Sequence, residues 1–390
     1  VVDGLGGLGH PDFDFISELE YAKTPNLDKF VSLRTTEVGL LYPVNRGITP
    51  GSGPGHLGLF GYDPLKPKYT IGRGALEAAG LEFTLRPNDL IFRMNFSQIG
   101  SDGILVDRRA GRISSQEGAR LSEKLNKAIS LRGAEAIVVP SRDYRASLIL
   151  RTNQALSDQV RDTDPQREGF RPESCLPIDS RDPGARRTAD LVNSFVEQAA
   201  KILSDEPKAN MVLLRGASRL PNIPRFGQIY GLQAAASAIY PLYRGIARLV
   251  GMDVLNGATN LAEQIAQVKT HFDDYTFFFV HFKDADSAGE DGDFLRKVKA
   301  IEYVDQQFPS ILEIGFDVIA ITGDHSTPSL LRGHSWHSVP LAVSGPYIRR
   351  DDATRLTEYE CAKGGLGRLR THELMNVLMA NAGKLKKFGA

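Results

Sequence analysis

A serine in a glycine- and proline-rich turn, two separated aspartates and an Asp-His pair are the side chains on which this sequence could build chemistry. The serine is Ser52, in Thr49-Pro50-Gly51-Ser52-Gly53-Pro54-Gly55-His56, and the apolar residues after it read as a short helix. Such a turn exposes the hydroxyl beside backbone N–H groups at a helix start, where an anion is welcome. Gly-Ser-Gly alone is ordinary loop material. Its weight comes from Val2-Asp3-Gly4 and Thr322-Gly323-Asp324-His325, each a carboxylate leaving an apolar run. A serine, carboxylates and an imidazole on strand ends are what a metal-activated nucleophile needs. Asp286 and Glu290 stand four apart, on one face of a helical turn, and His334 follows in Gly333-His334-Ser335-Trp336-His337. Together these segments could serve two divalent ions: one on Asp3, Ser52, Asp324 and His325, the other on Asp286, Glu290 and His334. Mixed imidazole and carboxylate ligands suit Mn²⁺ or Zn²⁺ better than Ca²⁺. His281 reads as packing or as a partner to a ligand, and Asp284, Asp291 and Asp293 as a solvated face.

The elements that must position these residues alternate as an α/β fold does. Val1-Val2-Asp3 reads as the end of a parallel strand, the place where such folds bind ligands. Thr24-Pro25 starts a helix, and residues 37–44 form a strand leading to the Ser52 turn. From 71 to 224 the character shifts to α+β: strands at 89–95, 104–114, 136–140, 146–151 and 210–214, and helices at 116–130 and 187–203. The stretch 161–187 is a long loop. Beyond it the sequence predicts a small-residue helix from Gln233 to Ile239, strands at 275–281, 317–322 and 339–343, and helices at 293–308 and 371–382. The expected organisation is a discontinuous α/β domain, 1–70 plus 225–390, holding an inserted α+β domain at 71–224.

The bulk numbers agree with two ordinary domains. The chain has 390 residues, 42% apolar and 24% charged, with Lys plus Arg and Asp plus Glu both at 47. A balanced charge points to neither nucleic acid nor an anionic membrane surface. The apolar run Phe277–Val280 is far too short to span a bilayer. Cys175 and Cys361 are the two cysteines, which fits a reducing cytoplasm and leaves no thiolate cluster. The chain opens on Val1-Val2 without Met or a signal peptide, and the expectation is that residues of its first strand precede Val1.

Several motifs resemble those of the archaeal-type cofactor-independent phosphoglycerate mutases, of the alkaline-phosphatase superfamily. They are Asp3-Gly4, Thr24-Pro25-Asn26-Leu27-Asp28, Pro50-Gly51-Ser52, Gly61-Tyr62-Asp63-Pro64, Gly72-Arg73-Gly74, Arg109-Ala110-Gly111-Arg112, Leu214-Arg215-Gly216, Lys283 with Asp286, and Thr322–Pro328, in order along nearly the whole chain. The resemblance implies an alkaline-phosphatase-like core with a central, mostly parallel sheet, split by an inserted domain that grips a phosphorylated hydroxy acid. It implies Ser52 as the nucleophile that becomes phosphoserine, with Lys283 stabilising developing charge. It implies two divalent metals, Mn²⁺ before Mg²⁺, Co²⁺ or Zn²⁺, and no 2,3-bisphosphoglycerate. Arg215, Arg219, Arg244, Arg93, Asp107 and Arg112 are the residues implied to hold substrate, since guanidinium suits phosphate and carboxylate alike. A cytoplasmic enzyme of glycolysis and gluconeogenesis, compatible with a homo-oligomer, is the expectation.

The chain departs from that pattern at a few positions. Glu290 stands where the family usually has His, Gly53 where it has Asp, Arg244 where it has Lys, Gln166 where it has His and His337 where it has Asp. The leading expectation is interconversion of 3-phosphoglycerate and 2-phosphoglycerate. The rivals are the same chemistry on another phosphorylated or phosphonylated hydroxy acid, a phosphomonoesterase, and a weakened protein that only binds through the old cleft.

Overall fold

The computed structural model describes residues 1–81, 83–220, 222–385, 387 and 389, with backbone alone at Arg73 and Glu77. The Arg73 side chain of Gly72-Arg73-Gly74 therefore lies outside the described residues. The architecture is mixed α/β with several sheets, in two compact units: Val1–Thr70 with Ile223–Ala390, and Ile71–Asn222.

In the first unit, a four-stranded sheet runs in the order Ile319–Thr322, Val339–Ser344, Thr36–Tyr42, Gly367–Arg370. Its first two pairings are antiparallel, in the registers Ile321↔Ala342 and Gly39↔Leu341, and the last is parallel. A three-stranded parallel sheet runs Asp253–Leu255, Ala234–Ser237, Phe277–Val280. One central, mostly parallel sheet was the expectation; the described strands of this unit form these two sheets, one all parallel and one with two antiparallel pairings and one parallel. The first residues connect the two: Val2 N–H donates to Thr322 O at 2.9 Å, and Asp3 N–H to Phe282 O at 2.8 Å. Three strand ends thus meet at one place, and each carries an acidic segment beyond it.

Helix Phe294–Leu312 covers this arrangement with Phe294, Val298, Ile301, Val304 and Phe308. Their spacing of three and four is that of one helical stripe. Strand Val339–Ser344 is buried on both faces, with Val339 and Ala342 in one core and Leu341 and Val343 in another, which explains its unbroken apolar reading. The helix expected over Gln233–Ile239 is not formed. Ala234–Ser237 is a fully buried strand, and the helix comes later, at Pro241–Leu249 with Pro in its first turn. Pairing on both sides, to Asp253–Leu255 and to Phe277–Val280, overrides alanine's helical preference.

The unit Ile71–Asn222 is an antiparallel sheet built on Leu90–Ile99, which pairs with Arg145–Arg151, Met211–Arg219 and Leu105–Asp107; Glu135–Pro140 pairs with Arg145–Arg151. Alternation sorts its two faces. Leu90, Phe92, Met94, Phe96, Val212 and Leu214 pack in the core with residues of helices Ser115–Ala128 and Pro183–Ile202. Ile91 packs in a second cluster with Ala75 and Ala78 of helix Arg73–Ala79. Arg93 shares that alternation, and its cross-strand partner is Arg215.

Candidate active site

Ser52 is the first residue of helix Ser52–Leu59, whose N-cap is Gly51 in an extended conformation. The helix passes close to the loop after Ile319–Thr322. A Cβ on Gly55 would stand 2.9 Å from Asp324 O, so only glycine allows this approach. His56, one residue on, lies 3.1 Å from Asp324 Oδ2 through Nδ1, which is also 2.9 Å from Ser52 O. Gly4 has φ +67°, and a Cβ there would meet Asp286 Cα at 2.8 Å. These close backbone contacts bring Asp3, Asp324 and Asp286 together.

Asp3, Asp324 and His325 are completely buried and their ligand atoms form one group. His325 Nε2 is 3.1 Å from Asp324 Oδ2 and 3.4 Å from Asp3 Oδ1. None of these three atoms has a hydrogen-bond partner among the described residues. Converging, buried, unpaired acceptors are costly unless something positive joins them. Burial, followed by the charge of Asp3, pushes the Asp324 carboxyl well above its usual range. Burial acts the same way on Asp3, but the hydrogen bond from His281, then the nearby His325 and Lys283, outweigh it and hold that carboxyl low. Burial also keeps His325 neutral, its pKa well below the ordinary value. Two carboxylates and a neutral imidazole with a free lone pair are the donor set that a divalent cation takes. The residues fit the group.

A second group is made by Asp286, His325 and His334. Asp286 and Glu290 both lie on helix Asp284–Asp291, as their spacing predicts. His334 Nδ1 is 2.9 Å from Pro50 O, a carbonyl that only accepts, so Nδ1 carries the hydrogen and Nε2 the lone pair. That Nε2 lies 3.5 Å from Asp286 Oδ1 and 3.5 Å from Glu290 Oε1. Glu290 is half exposed and stands at the rim of the group. The His325 and His334 rings stack at 3.6 Å, so the two groups share a wall. Lys283 reaches both groups, with Nζ 3.2 Å from Asp3 Oδ2 and hydrogen-bonded to Asp286 Oδ2. Burial would lower its pKa; the charges of Asp3 and Asp286 raise it instead, so the ammonium persists.

Three further residues stand beside these groups. His281 donates from Nε2 to Asp3 Oδ2 at 3.1 Å, which matches its reading as a partner to a ligand. Tyr243 stacks on His281 at 3.7 Å, and its hydroxyl faces the side chains of Asp3 and Ser52. His56 could have been noticed as the residue four after Ser52 on a helix. Tyr243 had no signal, because nothing local to an apolar run announces which ligand its hydroxyl will face.

The substrate-binding expectations divide between the units. Arg244 follows Tyr243 on helix Pro241–Leu249 and hydrogen-bonds Asn256. In the inserted unit, Arg93 and Arg215 are neighbours across a strand pair, and Arg215 lies 3.6 Å from Asp164. Asp107 accepts the backbone N–H groups of Arg109 at 2.7 Å and Gly111 at 2.6 Å. These bonds brace a turn in which Ala110, Gly111 and Arg112 all have positive φ, and Arg112 is exposed. Arg219 donates to Leu156 O within the same unit. Gln166 also has positive φ and hydrogen-bonds Asp164 through its N–H at 2.8 Å. Gly53 is buried, and the His337 ring stacks on Trp336 at 4.2 Å.

Comparison with known proteins gives these groups a context. The sequence profile of 2,3-bisphosphoglycerate-independent phosphoglycerate mutase matches residues 34–209. A probable 2,3-bisphosphoglycerate-independent phosphoglycerate mutase of Aquifex aeolicus is 47% identical over all of this chain and 96% of its own length. One from Thermus thermophilus is also 47% identical, over all of this chain and 95% of its own. Among solved structures, the PH0037 protein of Pyrococcus horikoshii superposes with a TM-score of 0.83 at 30% identity, over 100% of this chain and 98% of its own. The cofactor-independent phosphoglycerate mutase of Thermoplasma acidophilum does so with a TM-score of 0.76 at 29% identity, over 98% of each chain. This chain belongs to the 2,3-bisphosphoglycerate-independent phosphoglycerate mutase family.

Proposed function

We propose that the chain is a cation-dependent phosphoglycerate mutase that interconverts 3-phosphoglycerate and 2-phosphoglycerate through phospho-Ser52. The observation that carries this reading is the meeting of Asp3 Oδ1, Asp324 Oδ2 and His325 Nε2, buried and unpaired, against the helix that begins at Ser52. Divalent cations held by Asp3, Ser52, Asp324 and His325, and by Asp286, His334 and Glu290, would acidify the serine hydroxyl and neutralise phosphoryl oxygens. Mn²⁺ is the first candidate for this mixed ligand set.

Ser52 Oγ then attacks phosphorus in line. The new bond is Oγ–P, the bond broken is that between phosphorus and the glycerate oxygen, and the freed oxygen takes up one proton as the Ser52 hydroxyl gives one up. The released glycerate reorients, its other hydroxyl attacks phospho-Ser52, and Ser52 is regenerated. Lys283, an ammonium among carboxylates, stabilises negative charge as it develops on phosphoryl oxygens. Arg93, Arg215, Arg219, Arg112, Asp107 and Arg244 are the residues proposed to hold the acid's carboxylate or phosphate. Water must be kept from phospho-Ser52, since hydrolysis there would give a phosphatase.

The test supplies Mn²⁺-loaded protein with 3-phosphoglycerate and follows 2-phosphoglycerate and free phosphate together, beside Ser52→Ala. The expected result is isomerisation with little phosphate, falling on the order of 10³-fold or more in the variant. Phosphate without isomerised product would convert the reading to a phosphomonoesterase. No turnover from folded, loaded protein would overturn the assignment of substrate.

A further inference from the structure

Thr327 stands two residues after His325, fully buried between ligands of both groups. Its Oγ1 is 2.6 Å from Asp286 Oδ1 and 3.0 Å from His325 Nδ1. An ionised carboxylate only accepts, so the hydroxyl hydrogen goes to Asp286. The hydroxyl oxygen must then accept the Nδ1–H of His325. This order of hydrogens leaves His325 Nε2 as the lone pair, and Nε2 is the unpaired atom that faces Asp3 and Asp324.

Thr327 is itself held firmly. Its N–H donates to Gly6 O at 3.1 Å, and its carbonyl accepts from the buried Lys297 ammonium at 2.9 Å, which also donates to Gly6 O at 2.9 Å. The Asp286 helix presses on the same residue: a Cβ on Gly289 would stand 2.1 Å from Thr327 O. Loop, helix and lysine therefore fix where the hydroxyl lies.

We propose that Thr327 is a positioning residue that couples the two cation groups. One hydroxyl sets the tautomer of His325 for the Asp3–Asp324 group and the orientation of Asp286 for the group with His334. The proposal rests on the cation reading above and adds a named residue with an ordered hydrogen-bond chain, His325 to Thr327 to Asp286. Ligand orientation by such partners is commonly worth roughly 10- to 100-fold in metal affinity.

Three metal-free proteins decide it: the parent, Thr327→Val, which keeps the shape and loses the hydroxyl, and Thr327→Ser, which restores it. Long-range ¹H–¹⁵N spectra report the His325 tautomer, and electron paramagnetic resonance counts free Mn²⁺ in a titration. The expected parent spectrum shows hydrogen on Nδ1. Thr327→Val is expected to lose that fixed tautomer and to bind Mn²⁺ roughly 10- to 100-fold more weakly at both groups, with Thr327→Ser close to the parent. Hydrogen on Nε2 in the parent, or unchanged Mn²⁺ binding by a folded Thr327→Val, would overturn the proposal. If Thr327→Val does not fold, the parent spectrum and the Ser variant carry the decision. A parent that binds no Mn²⁺ but shows the expected tautomer would defeat the cation reading while upholding the ordering role of Thr327.

Discussion

In the inserted unit, Asp89 and Asp164 are each buried and each clasped by an arginine. Arg151 donates to both Asp89 oxygens at 2.8 Å, and Arg108 to the Asp164 oxygens at 3.0 and 2.7 Å. In the other unit, Asp3 and Asp324 are just as buried but face one another and His325 with oxygens left unpaired. The first arrangement is how a fold satisfies buried charge for its own sake. The second leaves the same kind of charge unsatisfied and must be explained by something the site takes up. Burial alone therefore does not mark function here; the missing partner does.

That contrast breaks most sharply at Asp324. Asp324→Asn is expected to weaken Mn²⁺ binding on the order of 100-fold or more. The metal-free variant should melt no lower than the parent, because the amide is neutral, as burial and Asp3 favour at this position, and can donate to the unpaired Asp3 oxygen. Calorimetric titration and thermal melts check the two halves separately; a metal-free variant that melts clearly lower would show that the carboxylate is structural. Asp89→Ala should do the opposite. It strands the mostly buried Arg151 guanidinium and is expected to cost about 2–3 kcal/mol in urea unfolding, with Mn²⁺ affinity unchanged. A change in cation binding there would erase the distinction between the units.

The smallest effect per step is a pH slope. Burial, only partly opposed by the charge of Asp3, holds His56 neutral down to about 4, from an ordinary 6.5. His281 behaves alike, burial again lowering its pKa to about 4 against the opposing hydrogen bond and charge of Asp3. Both folded-state values lie below the unfolded one, so the unfolded chain takes up protons first. Stability of the metal-free protein should be full above about pH 6.5 and fall as pH drops toward 4, by ~1.4 kcal/mol per unit per histidine at most. Urea unfolding across that range measures the slope, and a flat profile would mean that these imidazoles are hydrated.

Much of this site is legible in residue types. Asp286 and Glu290 share a helix face as their spacing predicts, and Asp324-His325 follows its strand after Gly323. The inserted unit is equally readable, since alternating apolar residues in Leu90–Ile99 announce both its core face and the opposite one bearing Arg93. Ala234–Ser237 was misread because four small residues have no period of their own, and their strand exists only through neighbours on both sides. Thr327 and Tyr243 stayed hidden for a related reason: a hydroxyl's value depends on which acceptor the fold places beside it.

Sequence alone supplied the serine, the carboxylates and the imidazoles of the candidate site, because their chemistry resides in the side chain. It also determined most helices and strands, because period and turn residues act locally. Only the tertiary structure decided that His325 serves two groups, that Glu290 stands at a rim, and which nitrogen of each imidazole is free. Those outcomes depend on hydrogen bonds between residues tens to hundreds of positions apart, Pro50 with His334 and Asp286 with Thr327 among them. A donor's partner is set by where the packed backbone brings it, and no local pattern encodes that.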